Sequence, residues 1–242
     1  MQRLNPKKTN MIQVNNLSKT YNNGVTVLNI PNLEIPKGQS FGLVGNNGAG
    51  KTTFFSLLLD LIQPTTGHIN NGLIQVNTSE AWKPFTGAFI DESFLIGYLT
   101  AEEYFYFIGD LRNQNKADVD ALLAKHEEFF NGEILKSKKY IRDLSKGNMK
   151  KVGIIATLIG NPEVIILDEP FANLDPTTVN RLKKIINELS QNPTVTVLVS
   201  SHDLVHTVEV CTRIVALNKG EIVKDIITSP ETLKELEAFF AV

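Results

Sequence analysis

Apolar residues along the chain fall into three regimes. Over residues 11 to about 77 they form short strand-like runs, separated by turns at Asn22-Asn23-Gly24, Pro36-Lys37-Gly38 and Asn71-Gly72, where Gly, Asn and Pro supply the backbone angles that reversal needs. One helix-like segment, residues 53–62, interrupts these strands. From about Trp82 to Gly160 the spacing becomes helical: Tyr104, Phe105, Phe107, Ile108 and Leu111 share a face of a helix over residues 101–112, and Thr100 with Glu103 predicts its capping box. These aromatics read most simply as core. A second helix is expected over residues 149–159, with Ser145 as its cap. From Val164 onward strand and helix alternate. Residues 164–167 form a continuous apolar run of the kind expected of a strand buried on both faces, and residues 195–200 read as a buried strand. Residues 177–190 read as a helix, Asn218-Lys219-Gly220 turns a hairpin between residues 214–217 and 222–223, and residues 230–242 read as a terminal helix. The pattern is that of an α/β protein with no internal repeat.

The chemistry begins where the first buried run ends. Gly45-Asn46-Asn47-Gly48-Ala49-Gly50-Lys51-Thr52-Thr53 follows the apolar residues 41–44, precedes a helix, and fits G-x-x-x-x-G-K-[ST] without a mismatch. Glycines let several N–H groups point inward at an anion, the helix adds its positive end, Lys51 reaches terminal phosphates, and the Thr52 hydroxyl can ligate Mg2+. A Gly-rich turn that merely reverses the chain is the structural alternative. The second locus is Asp168-Glu169-Pro170, at the mouth of the apolar run 164–167. Unpaired carboxylates are costly there, but they suit a metal-nucleotide site in which Asp168 holds Mg2+ and Glu169 polarises a water. Asp168 could instead cap a following helix.

Leu144-Ser145-Lys146-Gly147-Asn148 lies between these loci, and Asn173-Leu174-Asp175-Pro176 and Ser200-Ser201-His202 come after them. In order and spacing the set resembles the ATP-binding cassette family over residues 11–223. The resemblance implies a P-loop NTPase fold with a RecA-like core, an antiparallel β subdomain and a helical insert at about 82–160, leaving 224–242 as a C-terminal helical extension. It implies ATP and Mg2+ as cofactors, with Glu169, His202 and Lys51 catalytic and Thr52 and Asp168 on the metal. It further implies two cassettes paired head to tail, so that Ser145 and Gly147 contact the γ-phosphate held by the partner's loop. Tyr21 matches the aromatic that stacks on adenine, although a tyrosine beside a turn also packs. His202 would reach the γ-phosphate or serve as a helix cap. Asp175-Pro176 is both a good helix start and a match to the loop that crosses the dimer.

Two departures from the family pattern carry information. Asp91, followed by Glu92, stands where many cassettes have a glutamine, and is a candidate metal ligand with a shorter reach. Lys146 replaces the usual glycine, which resembles bacterial drug and antibiotic export cassettes and leans the reading toward export. The expected partner is a membrane-spanning permease, with residues 94–99 as its groove. A soluble cassette ATPase acting on ribosomes or DNA is the alternative.

Composition narrows the field further. A net charge of −2 over 242 residues gives no electrostatic footprint for nucleic acid. Lys136, Lys138, Lys139, Lys150 and Lys151 read as a solvated basic face. The single cysteine, Cys211, excludes an intrachain disulfide and fits a packed thiol in a reducing compartment. No apolar run is long enough to span a bilayer, and residues 1–10 lack the apolar centre of a signal peptide. The expected location is therefore cytoplasmic, peripheral on the inner face of the membrane.

Overall fold

The structure, a computed structural model, describes residues 10–22 and 24–240. Asn23 of the first expected turn and residues 241–242 of the expected terminal helix lie outside them. The described residues open with two long strands, β1 (Asn10–Thr20) and β2 (Thr26–Pro36), then β3 (Ser40–Val44), helix α1 (Lys51–Leu58), β4 (Thr66–Asn71) and β5 (Ile74–Gln75). Next come β6 (Thr86–Phe89), α2 (Ala101–Leu111), α3 (Lys116–Lys125) and α4 (Lys146–Ala156). The last third alternates β7 (Val164–Asp168), α5 (Pro176–Ser190), β8 (Thr196–Ser201), α6 (Leu204–Val210), β9 (Arg213–Asn218), β10 (Glu221–Ile227) and α7 (Thr232–Phe240).

Two sheets result. A four-stranded sheet in the order β2-β1-β4-β5 is antiparallel throughout. A six-stranded sheet runs β10-β9-β3-β8-β7-β6, parallel except for the β9–β10 hairpin at one edge. Its central strands are buried on both faces, and alternate side chains enter different cores. Phe41 and Leu43, Val164 and Ile166, and Leu198 join α1 and the antiparallel sheet in one core, whereas Val44, Ile165, Leu167, Val197 and Val199 join the helical region in the other. This explains why the runs read as continuously apolar rather than alternating.

The helix ends follow their caps. Thr100 and Glu103 form the expected reciprocal capping box of α2, Ser145 Oγ accepts from the Asn148 N–H at α4, and Asp175 accepts from the Thr178 N–H with Pro176 in the first turn of α5. Two boundaries differ from the sequence reading. β6 pairs in parallel with β7, so the stretch expected to be helical from about residue 82 begins with a sheet strand. Its Thr-Gly-Ala-Phe sequence sets two strand-favouring residues, Thr86 and Phe89, around a depleted Gly-Ala pair, yet Gly87 is required: a Cβ there would sit 2.1 Å from the Thr157 carbonyl oxygen. At the other end β10 continues to Ile227 and the helix starts only at Thr232, so residues 224–227 belong to the sheet and not to a helical extension. Leu236 of α7 is fully buried in the core beneath α6.

Candidate functional site

Three parallel strands end side by side, and each delivers polar groups at its C-terminal end. β3 leads into the Gly45–Gly50 loop, β7 ends in Asp168-Glu169, and β8 ends in Ser200-Ser201-His202. Crevices at the carboxyl ends of parallel strands are where open α/β sheets bind ligands.

The loop is shaped to receive an anion. Gly48 and Gly50 have φ of 81° and 108°, and Gly50, in the left-handed region, opens α1 without any side-chain cap. Helices α2 to α6 each carry one. The first N–H groups of α1 are therefore left for a ligand, at the positive end of the helix dipole. Lys51 is 6 % exposed; its ammonium donates to the Gly45 carbonyl at 2.7 Å and the Asn46 carbonyl at 3.4 Å, and lies 3.2 Å from Glu169 Oε1. Asn46 and Asn47 are exposed on the loop, Ala49 is buried beneath it, and Thr53 continues into the helix.

The Thr52 hydroxyl donates to Asp168 Oδ2 at 2.6 Å, and the Ser200 hydroxyl donates to Asp168 Oδ1. Asp168 is buried, which raises its pKa above the usual carboxylate value of 3.8; Glu169 adds to this, while hydrogen bonds from Ser200 and Thr52 and the charge of Lys51 oppose it. Glu169 Oε2 meets His202 Nδ1 at 2.8 Å and the His202 N–H at 3.3 Å. Oε1 has no aligned hydrogen-bond donor and faces Lys51 as an ion pair. Among the described residues no three His, Cys, Asp or Glu side chains gather into a metal cage. What the site offers is a hydroxyl and a carboxylate in contact. Mg2+ takes one or two protein oxygens and completes its shell with water and phosphate, so this donor set fits Mg2+ arriving with a nucleotide.

The remaining expected residues divide. Tyr21 is 45 % exposed in the turn after β1, with the Lys19 ammonium 5.2 Å from its ring centre. Ser145 and Gly147 stand at the start of α4, and among the described residues no hydrogen bond or ion pair joins them to the loop. Among the described residues no hydrogen bond or ion pair joins Asp91 to the phosphate loop or to Asp168. Asp91 Oδ1 accepts the Ser93 N–H at 2.8 Å, capping a short 3-10 turn over Glu92–Phe94, and the Ser93 side chain first, then that N–H, keep its pKa below the usual value against a partial burial that raises it. The acid that turns inward is its neighbour: Glu92 lies 3.7 Å from the Lys150 ammonium.

Sequence reasoning missed Lys150, Glu92 and the two serines. Lys150 and Lys151 are 4 % and 3 % exposed, which corrects the expectation of a solvated basic face for these two, whereas Lys136, Lys138 and Lys139 are exposed as expected. Ser200 and Ser201 carried the same signal as Asp168, polar groups at the end of a buried strand. Lys150 carried none, because its partners are main-chain carbonyls far along the sequence.

Fold and site together define a phosphate-loop nucleotide-binding protein of the α/β class. The sequence profile described as "ABC transporter" matches residues 28–172. An uncharacterised ABC transporter ATP-binding protein of Bacillus subtilis, YhaQ, is 35 % identical over 87 % of this chain and 69 % of its own. The bacitracin transport ATP-binding protein BcrA of Enterococcus faecalis is 31 % identical over 89 % of this chain and 69 % of its own. A phosphonates import ATP-binding protein, PhnC 2, of Synechococcus is 33 % identical over 89 % and 84 %. Among solved structures, a dimeric ATP-binding cassette in a post-hydrolysis state with ADP and Pi shares the fold at a TM-score of 0.80 and 24 % identity, over 90 % of this chain and 99 % of that one. The chain belongs to the ABC transporter family, whose cassettes hydrolyse ATP to drive transport. Among the described residues no helix is long and apolar enough to cross a membrane.

Proposed function

We propose that this chain hydrolyses MgATP at a site completed by a second cassette and so powers export through a separate permease at the inner face of the cell membrane. The observation that carries the reading is the placement of Glu169, held between the Lys51 ammonium at 3.2 Å and His202 Nδ1 at 2.8 Å, beside the Thr52–Asp168 pair. Uncapped N–H groups of α1 and Lys51 bind the phosphates. Tyr21 lies against the adenine. Thr52 and Asp168 hold Mg2+, which supplies positive charge to the phosphate oxygens. Glu169 orients the water that attacks the γ-phosphorus in line, and His202 fixes that carboxylate and faces the γ-phosphate. Ser145 and Gly147, at the capped N-terminus of α4, serve the nucleotide bound by the partner chain.

The permease side of the reading has its own support. A groove of about 360 Å³ runs between β6 and α2, and Leu61, Phe94 and Leu111 on its rim are 47 %, 60 % and 65 % exposed. Exposed apolar residues grouped around one groove mark an interaction site, here for a cytoplasmic helix of the permease. Lys146 in Ser145-Lys146-Gly147 supports the export direction, which bacitracin resistance in cells carrying this cassette with its permease would probe. The hydrolytic core is tested directly. Glu169→Gln should keep ATP affinity, lose turnover by about a hundredfold or more, and elute as a dimer with MgATP, while Lys51→Ala loses nucleotide binding. Turnover of Glu169→Gln near wild type would remove Glu169 from the chemical step.

A further inference from the structure

Glu169 occupies an unusual backbone position. Its φ is +46°, a left-handed conformation that residues with a Cβ adopt at a cost. Such a residue stays in place only if its surroundings hold it, and both of its peptide groups are held. On one side the Glu169 N–H donates to the Ser200 carbonyl at 3.2 Å and lies 3.1 Å from Ser200 Oγ. On the other side the Lys150 ammonium donates to the Glu169 carbonyl at 2.8 Å and to the Ala172 carbonyl at 3.0 Å, clamping the turn that follows. Lys150 Nζ lies 3.7 Å from Glu92 Oε1. An ammonium has three donors, and two carbonyls and a carboxylate surround this one.

A buried lysine in a helix core is expensive unless its charge does something that an apolar residue could not. Met would fill the same volume. What Met could not do is fix the direction in which the Glu169 carboxylate leaves the main chain. We propose that Lys150 is a positioning residue for hydrolysis: from α4 it clamps the Glu169–Ala172 turn, so that the Glu169 carboxylate points between Lys51 and His202, and Glu92 holds the ammonium in register. This deepens the hydrolytic reading above and rests on Glu169 acting in the chemical step. It also makes the arm that carries Ser145 and Gly147 continuous, through one side chain, with the carboxylate of the same chain.

The test separates position from binding. In Lys150→Met, kcat should fall about ten- to hundredfold, the scale for a displaced catalytic group, while ATP binding measured with a fluorescent analogue stays within about threefold of wild type. Because Lys150 acts through Glu169, the double variant Lys150→Met/Glu169→Gln should turn over no slower than Glu169→Gln alone. Losses that multiply, or ATP affinity that falls in step with kcat, would make Lys150 a merely structural residue and overturn the inference. If Lys150→Met does not fold, Glu92→Gln carries the same test, with a smaller fall in kcat that again vanishes in the Glu169→Gln background. Wild-type turnover in Glu169→Gln would sink the hydrolytic reading itself. Slow Glu169→Gln with a wild-type kcat in Lys150→Met would sink this inference alone.

Discussion

Gly153→Ala sets two well-characterised effects against each other at the joint between α4 and β6. Gly153 lies inside α4, where helix propensity alone would have alanine stabilise the fold by about 1 kcal/mol. A Cβ built there, however, would stand 2.2 Å from Phe89 Cδ2 and 2.3 Å from Cε2, more than an ångström inside ordinary contact. Phe89 is 4 % exposed on β6, so its ring has little room to yield. Overpacking of this kind costs about 1–3 kcal/mol, and the size of the overlap places it at the top of that range. The net loss is about 2 kcal/mol, which for a chain of this size lowers Tm by about 4–8 °C. Scanning calorimetry without nucleotide measures it. Since α4 also carries Ser145 and Lys150, lifting it off β6 should depress turnover at a temperature where the variant is still fully folded. Phe89→Leu in the same chain makes room, so the double variant should be more stable than the sum of the single losses predicts, by about 1 kcal/mol or more. An unchanged or raised Tm in Gly153→Ala would mean that the ring gives way freely and that propensity decides, refuting the packing argument.

Three further outcomes are expected. Asp91→Asn should leave the Mg2+ dependence of hydrolysis superimposable on wild type, since asparagine caps the turn over Glu92–Phe94 equally well; a Mg2+ requirement raised about tenfold would return Asp91 to the metal. His126 is buried, and burial first, then the charge of Lys125, pushes its pKa below 6.5, with Glu188 opposing. The unfolded chain therefore binds the proton more readily, and stability should fall as pH drops below 6.5, by at most about 1.4 kcal/mol per pH unit from this group; urea midpoints of His126→Phe with an unchanged pH slope would exclude it. Mixing Lys51→Ala chains with Gly147→Asp chains should restore activity that neither shows alone, because the mixed dimer keeps one intact composite site. A mixture as inactive as its components would argue for a site within one chain.

The sequence by itself determined the elements that carry local or contiguous information. The phosphate loop is one unbroken segment whose glycines and lysine must be adjacent to work, Asp168 and Glu169 are marked by the apolar strand they terminate, and Thr100, Ser145 and Asp175 announce their helices by capping chemistry confined to a few residues. Even the burial of the central strands on both faces was legible, because it removes the alternation that one-sided burial would leave. What only the tertiary structure decided depends on distant segments meeting. β6 is a strand because β7 offers it a ladder and Gly87 lets Thr157 approach; four residues with Gly-Ala at their centre are too short a pattern to announce it. Asp91 and Glu92 are consecutive acids, and nothing local says that the first caps its own turn while the second reaches Lys150. Lys150 itself looked like one more surface lysine. Its charge is stabilised by carbonyls of residues 169 and 172, supplied by a turn that the sheet brings beneath α4. A buried charge is chosen by the partners it meets, and those partners exist only once the chain has folded.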